Sequence, residues 1–316
     1  MAAGPPTVQA VANNEEARIR VQVTLNTDAS FTAPETLELY RRVVGSQDPR
    51  LVARWAVGAG NRASTQWALS DDNPGPRGAA ADDTHIWVPS SQRRRVLAYT
   101  HAGARASAHD FTIINYNARG VAFVGDKLYV VDEPSNVEST SRMYVYEDGA
   151  RDNASEFAMQ VGEYAGLWTD GTTLWTANKV SRKIEAYDVT SRSADTAKEH
   201  ILVPDNRDPS GLGADSAGFY VTDAAAQAVF VYNRTDGSLI GRADLDPSNT
   251  EPRGIVKVGS EWHVVNALAG SGNVFVYKSL SISSLTNQTV YDYFAGHGVN
   301  YAYQAVADGV ESAWVS

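Results

Sequence analysis

The chain has 316 residues, a formal net charge of −10 and no cysteine. Without cysteine it cannot form a disulfide framework, a thiolate-held zinc site, an iron–sulfur cluster or a cysteine nucleophile. The acidic balance repels a phosphate backbone, and no apolar run approaches the roughly 20 residues that span a bilayer, so we predict neither nucleic-acid binding nor membrane insertion.

The two ends of the chain carry segments in which apolar and polar residues alternate with the period of a β-strand. Before residue 60 these segments are 17–24, 37–43 and 50–55. Near the end of the chain they are 289–293, 299–307 and 311–315. Neither group could bury one face of a sheet alone, so we expect the two groups to pair with each other.

Between these ends a pattern repeats five times. A glycine recurs at spacings of 42, 46, 45 and 43 residues, at Gly78, Gly120, Gly166, Gly211 and Gly254. Nine residues later comes a ring: Trp87, Tyr129, Trp175, Tyr220 and His263. Twelve residues after the glycine comes a small polar residue: Ser90, Asp132, Asn178, Asp223 and Asn266. A tyrosine ends each copy, at Tyr99, Tyr146, Tyr187, Tyr232 and Tyr277.

These landmarks predict a β-propeller. Each copy contains three alternating segments joined by short turns, and a large apolar residue nine positions before each glycine marks a fourth strand. Four strands in about 40 to 45 residues are typical of one propeller blade. The last copy lacks its fourth strand, but Leu69 precedes the first glycine as a spare one. We therefore predict an all-β, five-bladed propeller over residues 64–279, closed by strands from both ends of the repeat region.

The flanks predict a second, discontinuous domain of residues 1–60 and 280–316. About six or seven strands over roughly 100 residues is the size of an immunoglobulin-like sandwich. The segment from Gly298 to Trp314 resembles the last two strands of the fibronectin type III fold, and Pro5 to Arg54 resembles its first strands. The resemblance implies a five-bladed propeller inserted into an immunoglobulin/fibronectin III-like β-sandwich.

Two further resemblances concern the origin of the domains. The segments 170–178 (DGTTLWTAN) and 183–188 (KIEAYD) resemble bacterial propellers with "DGTTLWVAD" and "IYAYD" motifs, which implies the fold and no function. The flanks, with "ELYRR" at 38–42 and "YDY" at 291–293, resemble modules of bacteriophage tail and other virion proteins. That resemblance implies a structural role in a virion.

The candidate binding residues lie where the first strand of a blade begins and the second ends, since both points are at the same mouth of the channel. They are Arg77, Arg119, Arg253, Asp132, Asn178, Asp223 and Asn266. They could hold a polar ligand, with arginine binding its carboxylate or carbonyl groups. Alternatively, each arginine could bind the Asp or Asn of a neighbouring blade and lock the ring. We assign no catalytic residue, no metal site and no cofactor.

The function predicted from the sequence is a non-catalytic structural and binding module. The expected role is a phage tail or capsid decoration protein that presents the propeller to a host glycan or protein. The expected partners also include other virion proteins and further copies of the chain. Without a signal peptide in the sequence, the expected location is the virion or an extracellular surface. The alternative is a calcium-dependent propeller hydrolase of the lactonase or esterase kind, with oxygen ligands from the Asp and Asn residues at the mouth.

Overall fold

The computed structural model describes residues 7–13, 18–24, 36–43, 50–56, 61–115, 117–132, 141–267, 272–280, 287–292, 301–307 and 310–311. The chain divides into two compact units, Arg62–Leu280 and a second formed by Met1–Asn61 with Ser281–Ser316. Within the described ranges the helices are two short 3-10 segments, Ser107–His109 and Thr196–Lys198. No helix in those ranges is long and apolar enough to cross a membrane.

The strands are given in chain order. The first flank contains β1 (Thr7–Asn13), β2 (Arg18–Thr24), β3 (Thr36–Val43) and β4 (Arg50–Ala56). A single strand, β5 (Thr65–Ala68), precedes blade 1. Blade 1 contains β6 (Ala80–Ala81), β7 (His85–Ser90), β8 (Arg95–Thr100) and β9 (Phe111–Thr112). Blade 2 contains β10 (Ala118–Val124), β11 (Lys127–Asp132), β12 (Arg142–Glu147), β13 (Ala150–Arg151) and β14 (Phe157–Ala158).

The remaining blades repeat this order. Blade 3 contains β15 (Tyr164–Thr169), β16 (Thr173–Asn178), β17 (Lys183–Asp188), β18 (Ser193–Ala194) and β19 (His200–Ile201). Blade 4 contains β20 (Pro209–Ala214), β21 (Phe219–Asp223), β22 (Ala228–Tyr232) and β23 (Leu239–Asp244). Blade 5 contains β24 (Pro252–Val258), β25 (Glu261–Asn266) and β26 (Asn273–Tyr277). The second flank contains β27 (Asn287–Asp292), β28 (Tyr301–Ala307) and β29 (Val310–Glu311).

The five blades form the predicted propeller. Each is an antiparallel sheet, with the order β20-β21-β22-β23 in blade 4, and in blades 2 and 3 two short strands share the outer edge of the third strand: β13 and β14 on β12, β18 and β19 on β17. Blade 5 takes its fourth strand from the start of the repeat region, because β5 pairs with β26 and places Thr65 opposite Val276. This confirms the closure predicted from Leu69, which is 3% exposed directly after β5. The pairing also covers the edge of β26, since an unpaired strand at this position would favour aggregation.

Apolar clusters hold neighbouring blades together. Within residues 62–280, as far as they are described, each of the five interfaces between adjacent blades has one such cluster. The cluster between blades 5 and 1 includes Leu69, Ile86, Tyr99 and Val274, so the ring closes by burial as well as by strand pairing. The five ring-shaped landmarks are 2% to 6% exposed and belong to this core.

The repeated glycines explain how closely the blades approach the axis. A Cβ atom on Gly254 would lie 2.4 Å from the backbone carbon of Gly78, and one on Gly120 would lie 2.4 Å from that of Gly166. The same holds around the ring, since Gly166 faces Leu212 and Gly211 faces Gly254. The backbone nitrogen of Gly78 also donates a hydrogen bond to the carbonyl of Arg253 at 2.8 Å. The glycine pattern therefore reflects backbone-to-backbone packing of the innermost strands.

The repeated tyrosines connect consecutive blades. Each hydroxyl accepts a hydrogen bond from the backbone N–H of the segment that enters the blade from its predecessor: Ser70 to Tyr99, Ile114 to Tyr146, Gln160 to Tyr187, Val203 to Tyr232 and Asp246 to Tyr277. In four blades an asparagine five residues before the glycine also binds this hydroxyl: Asn73, Asn115, Asn206 and Asn249. A buried hydroxyl is thus satisfied in each blade.

The described strands of the flanks form two sheets in the second unit. One is three-stranded with the order β1-β2-β27, and the other is four-stranded with the order β29-β28-β3-β4. Each sheet combines strands from before and after the propeller, as expected from the sequence. In β28, Tyr303 is 1% exposed. The fibronectin III-like arrangement of these sheets stays a prediction.

Candidate functional site

A cluster of arginines lines a pocket at the mouth of the channel, where the first strands of the blades begin. The pocket is small: its cavity volume is about 10 Å³, roughly the space that one water molecule needs, and it is partly open to solvent. Its lining includes the residue before each of the five landmark glycines, together with Tyr164 and Lys179: Arg77, Arg119, Ala165, Ser210 and Arg253. We call it the arginine pocket. The three predicted arginines, contributed by three different blades, are therefore brought together.

Arg253 and Lys179 have acidic partners inside the propeller. The Arg253 guanidinium donates two hydrogen bonds to Glu251 Oε1, from Nε at 3.1 Å and from Nη2 at 2.6 Å. Lys179 Nζ lies 2.6 Å from Asp208 Oδ1, and the second oxygen of Asp208 lies 3.9 Å from Arg253 Nη1. Two carboxylates thus compensate two of the cations.

Arg77 differs from these two residues. Its Nε and Nη1 atoms are buried, and within the described part of the chain neither has a hydrogen-bond partner. Burial and the neighbouring charge of Arg253 lower the pKa of Arg77. The carboxylates of Glu251 and Asp208 act in the opposite direction on this pKa, but the two buried donors without an acceptor still cost free energy.

Arg119 experiences a similar field. Burial lowers the pKa of Arg119 to about 10, and repulsion from Arg77 and Arg253 adds to this effect. The carboxylates of Glu163 and Asp132 act in the opposite direction on Arg119. An anionic ligand would supply acceptors for the unsatisfied donors and a negative charge that offsets the repulsion between the arginines.

The predicted Asp and Asn residues do not line this pocket. In three blades they instead hold the segment that enters the first strand: Asp132 Oδ1 accepts the N–H of Asn117, Asp223 Oδ2 that of Asp208, and Asn266 Oδ1 that of Glu251. Burial raises the pKa of Asp132. Their position near the mouth follows from the fold, whereas a direct role in ligand binding stays a prediction.

Blade 3 departs from the repeat in two places. Five residues before the glycine, where the other four blades have an asparagine, blade 3 has Val161, whose exposed fraction is 55%. Two residues before its closing tyrosine it has the fully buried Glu185, where the other blades have an apolar or aromatic residue: Leu97, Tyr144, Phe230 and Phe275. The interior of blade 3 is thus more polar than that of its neighbours, and its surface is more apolar.

The Glu185 carboxylate is satisfied by neutral donors. Oε2 accepts hydrogen bonds from Tyr187 at 2.8 Å and Tyr164 at 3.0 Å. Oε1 accepts from Asn178 Nδ2 and Ser181 Oγ, both at 2.8 Å. Burial raises the pKa of both tyrosines. In this blade the carboxylate replaces the asparagine as the partner of the closing tyrosine.

Sequence reasoning missed two residues of the pocket, Lys179 and Tyr164. Lys179 directly follows the small polar landmark of blade 3, and Tyr164 precedes the glycine by two positions. The sequence signal that could have directed attention to blade 3 is Glu185, a carboxylate at a position that is apolar or aromatic in the other four blades.

No metal centre is formed by the residues that the structure describes, since no group of three His, Asp or Glu side chains there is arranged to hold an ion.

No protein-family model and no curated protein matches this chain. Among solved structures it is similar to glutaminyl cyclase from Myxococcus xanthus, with 13% identity over 71% of this chain and 100% of that chain and a TM-score of 0.53. It also overlaps with a nidogen–laminin complex (15% identity, 79% and 97% coverage, TM-score 0.42) and a streptogramin B lyase (14% identity, 87% and 94% coverage, TM-score 0.39). The first likeness supports the propeller fold alone, and the other two are too distant to support an inference.

Proposed function

We propose that the protein is a non-catalytic binding module whose arginine pocket binds an anionic group of a protein or glycan partner. The observation that carries this proposal is the Arg77 guanidinium, with two buried nitrogen atoms that have no acceptor within the described residues. An arginine that locked two blades together would be expected to pair with a carboxylate of a neighbouring blade, as Arg253 Nη1 does with Asp208 Oδ2 at 3.9 Å. Arg77 instead faces a pocket that also contains Arg119 and Arg253.

The proposal predicts opposite effects of Arg77→Met on stability and on binding. Removing an unsatisfied buried charge is expected to raise the free energy of unfolding by about 1 kcal/mol in chloride buffer. Sodium acetate or sodium sulfate, at constant ionic strength, should raise the melting temperature of the wild type with a saturable dependence. At ten times Kd this stabilisation amounts to about 1.4 kcal/mol, and it should be absent in the variant.

Arg192→Met is the matched control, because Arg192 is exposed in the turn after β17, at the end of blade 3 opposite the mouth. This variant should keep the full response to both anions. A lower stability of Arg77→Met in chloride would support the blade-locking alternative. An unchanged response of Arg77→Met to acetate and sulfate would contradict the proposed binding site.

We also propose that the flanking strands form a fibronectin III-like sandwich and that the module serves in a virion, as a tail or capsid decoration on the particle or another extracellular surface. The support is the two sheets of the second unit and the resemblance of the flanks to phage modules. An experimental structure should show these sheets packed face to face about 10 Å apart. Tail or capsid genes beside the coding gene would support the virion role, whereas a metabolic operon would oppose it.

A further inference from the structure

Blade 3 carries an exposed aliphatic pair, the valine pair, beside a residue that lines the arginine pocket. Val161 and Val180 have exposed fractions of 55% and 57%. Both adjoin the side chain of Asn178, which donates to the carbonyl of Val161 at 3.3 Å and accepts the N–H of Val180 at 2.9 Å. Lys179, the residue between Asn178 and Val180, lines the pocket. Val180 therefore directly follows a residue that lines the pocket, and Asn178 connects it to Val161.

The fold itself does not require this exposed pair. In the four other blades the position of Val161 is a buried asparagine, 0% to 2% exposed, that binds the closing tyrosine. Blade 3 has no asparagine there, and the hydroxyl of Tyr187 is bound by Glu185 instead. Compared with the other blades, blade 3 therefore has a carboxylate in its interior and an exposed valine at its surface. Because the propeller fold does not require an exposed valine at this position, its presence is best explained by a contact with a binding partner.

We infer that the arginine pocket and the valine pair together bind a protein segment in which an acidic side chain lies next to an apolar one. This inference rests on the proposed function and specifies its partner. The carboxylate would lie at the open side of the pocket and accept hydrogen bonds from the guanidinium of Arg77, whose Nε and Nη1 atoms have no partner among the described residues. The neighbouring apolar side chain would cover the two valines and remove their surface from water.

The aliphatic pair favours a peptide over a carbohydrate. Valine offers no donor or acceptor to sugar hydroxyl groups, whereas it packs directly against leucine, isoleucine or phenylalanine. The pocket supplies charge complementarity for a carboxylate, and charged groups that are bound by arginine in a partly buried site contribute to specificity. An acidic oligosaccharide is the competing occupant that the experiment must separate.

The test uses the full-length protein and blocked hexapeptide mixtures. In the first mixture an Asp is fixed beside a Leu, and the other positions are randomised. In two matched mixtures either Asn replaces the Asp or Ser replaces the Leu. Fluorescence anisotropy is measured for the wild type, Arg77→Met and the double variant Val161→Thr/Val180→Thr. Polygalacturonate tetramer and sodium acetate serve as the carbohydrate and the simple-anion probes.

The wild type should bind the Asp–Leu mixture at least about tenfold more tightly than either matched mixture. The double valine variant should lose about tenfold in affinity for that mixture and keep its response to acetate, and Arg77→Met should lose both. Exposed Val-to-Thr changes leave stability within about 0.5 kcal/mol of the wild type, so folding is not a confounder.

Two outcomes would overturn the inference while leaving the proposed function intact. One is a preference for polygalacturonate over every peptide mixture, with dependence on Arg77. The other is acetate binding without any selectivity for the Asp–Leu mixture, or with unchanged peptide affinity in the valine variant. Absence of binding by peptides, tetramer and acetate alike would reject both the inference and the proposed anion site.

Discussion

Gly254→Ala is expected to lower the free energy of unfolding by about 3 kcal/mol or more. The added methyl group would lie 2.4 Å from the backbone carbon and 2.6 Å from the carbonyl oxygen of Gly78. Neither atom belongs to a flexible side chain, so relief requires a shift of an entire inner strand at the interface where blade 5 meets blade 1. Urea unfolding followed by tryptophan fluorescence measures the change.

Gly259→Ala separates this clash from the general cost of replacing glycine. Gly259 has a φ of 58°, and no atom lies within 4 Å of a Cβ placed there. Its replacement therefore introduces only left-handed backbone strain, at about 1 to 2 kcal/mol. Equal destabilisation by the two substitutions would contradict the view that the glycine ring sets the spacing of the blades.

Acidification from pH 6.5 to pH 4 is expected to destabilise the propeller through His263. Burial lowers the pKa of His263 from 6.5 to about 4, with a smaller contribution from His101. In this window the unfolded chain binds a proton that the folded protein does not, so the free energy of unfolding falls as the pH decreases. The loss relative to neutral pH amounts to about 3 kcal/mol at pH 4 and levels off below the folded-state pKa.

His263→Phe provides the comparison, because blades 1 to 4 carry aromatic rings at the equivalent position. Chemical unfolding at pH 6.5, 5.5, 4.5 and 4 is measured for both proteins. Carboxylates and the other histidines titrate in both, so the quantity of interest is the difference between their pH profiles. Parallel profiles would show that His263 is protonated as readily in the folded protein as in the unfolded chain.

The number of blades could be predicted from the sequence because each landmark has one physical cause that recurs. The glycines allow the inner strands to pack backbone against backbone, and the rings are buried between blades. The tyrosine hydroxyls accept hydrogen bonds from the N–H groups of the segments between blades. Leu69 was informative because a fourth strand outside the last repeat can only be used by closing the ring. Residues with a repeated environment can be read from a repeated spacing.

The details of the site could not be predicted in the same way. The arginines were recognisable by their position before the glycines, but which cation of the pocket has a carboxylate partner could not be read from that position. Thus Lys179 pairs with Asp208 of the next blade, and Arg253 rather than Arg77 takes Glu251 as its hydrogen-bond partner. Val161 and Glu185 each stand out in the sequence as a departure from the repeat. Only the three-dimensional structure shows that the two are connected, because Glu185 binds the Tyr187 hydroxyl in place of the missing asparagine.

Closure by β5 has a consequence for the synthesis of the chain. Ser64 donates a hydrogen bond to the carbonyl of Val276, 212 positions later, so the last blade depends on a segment translated long before its partner exists. At about 5 to 20 residues per second, that segment remains without its neighbour for roughly 10 to 40 s on the ribosome. Its modest length of four residues, Thr65–Ala68, limits the hazard of pairing with a foreign strand during this delay.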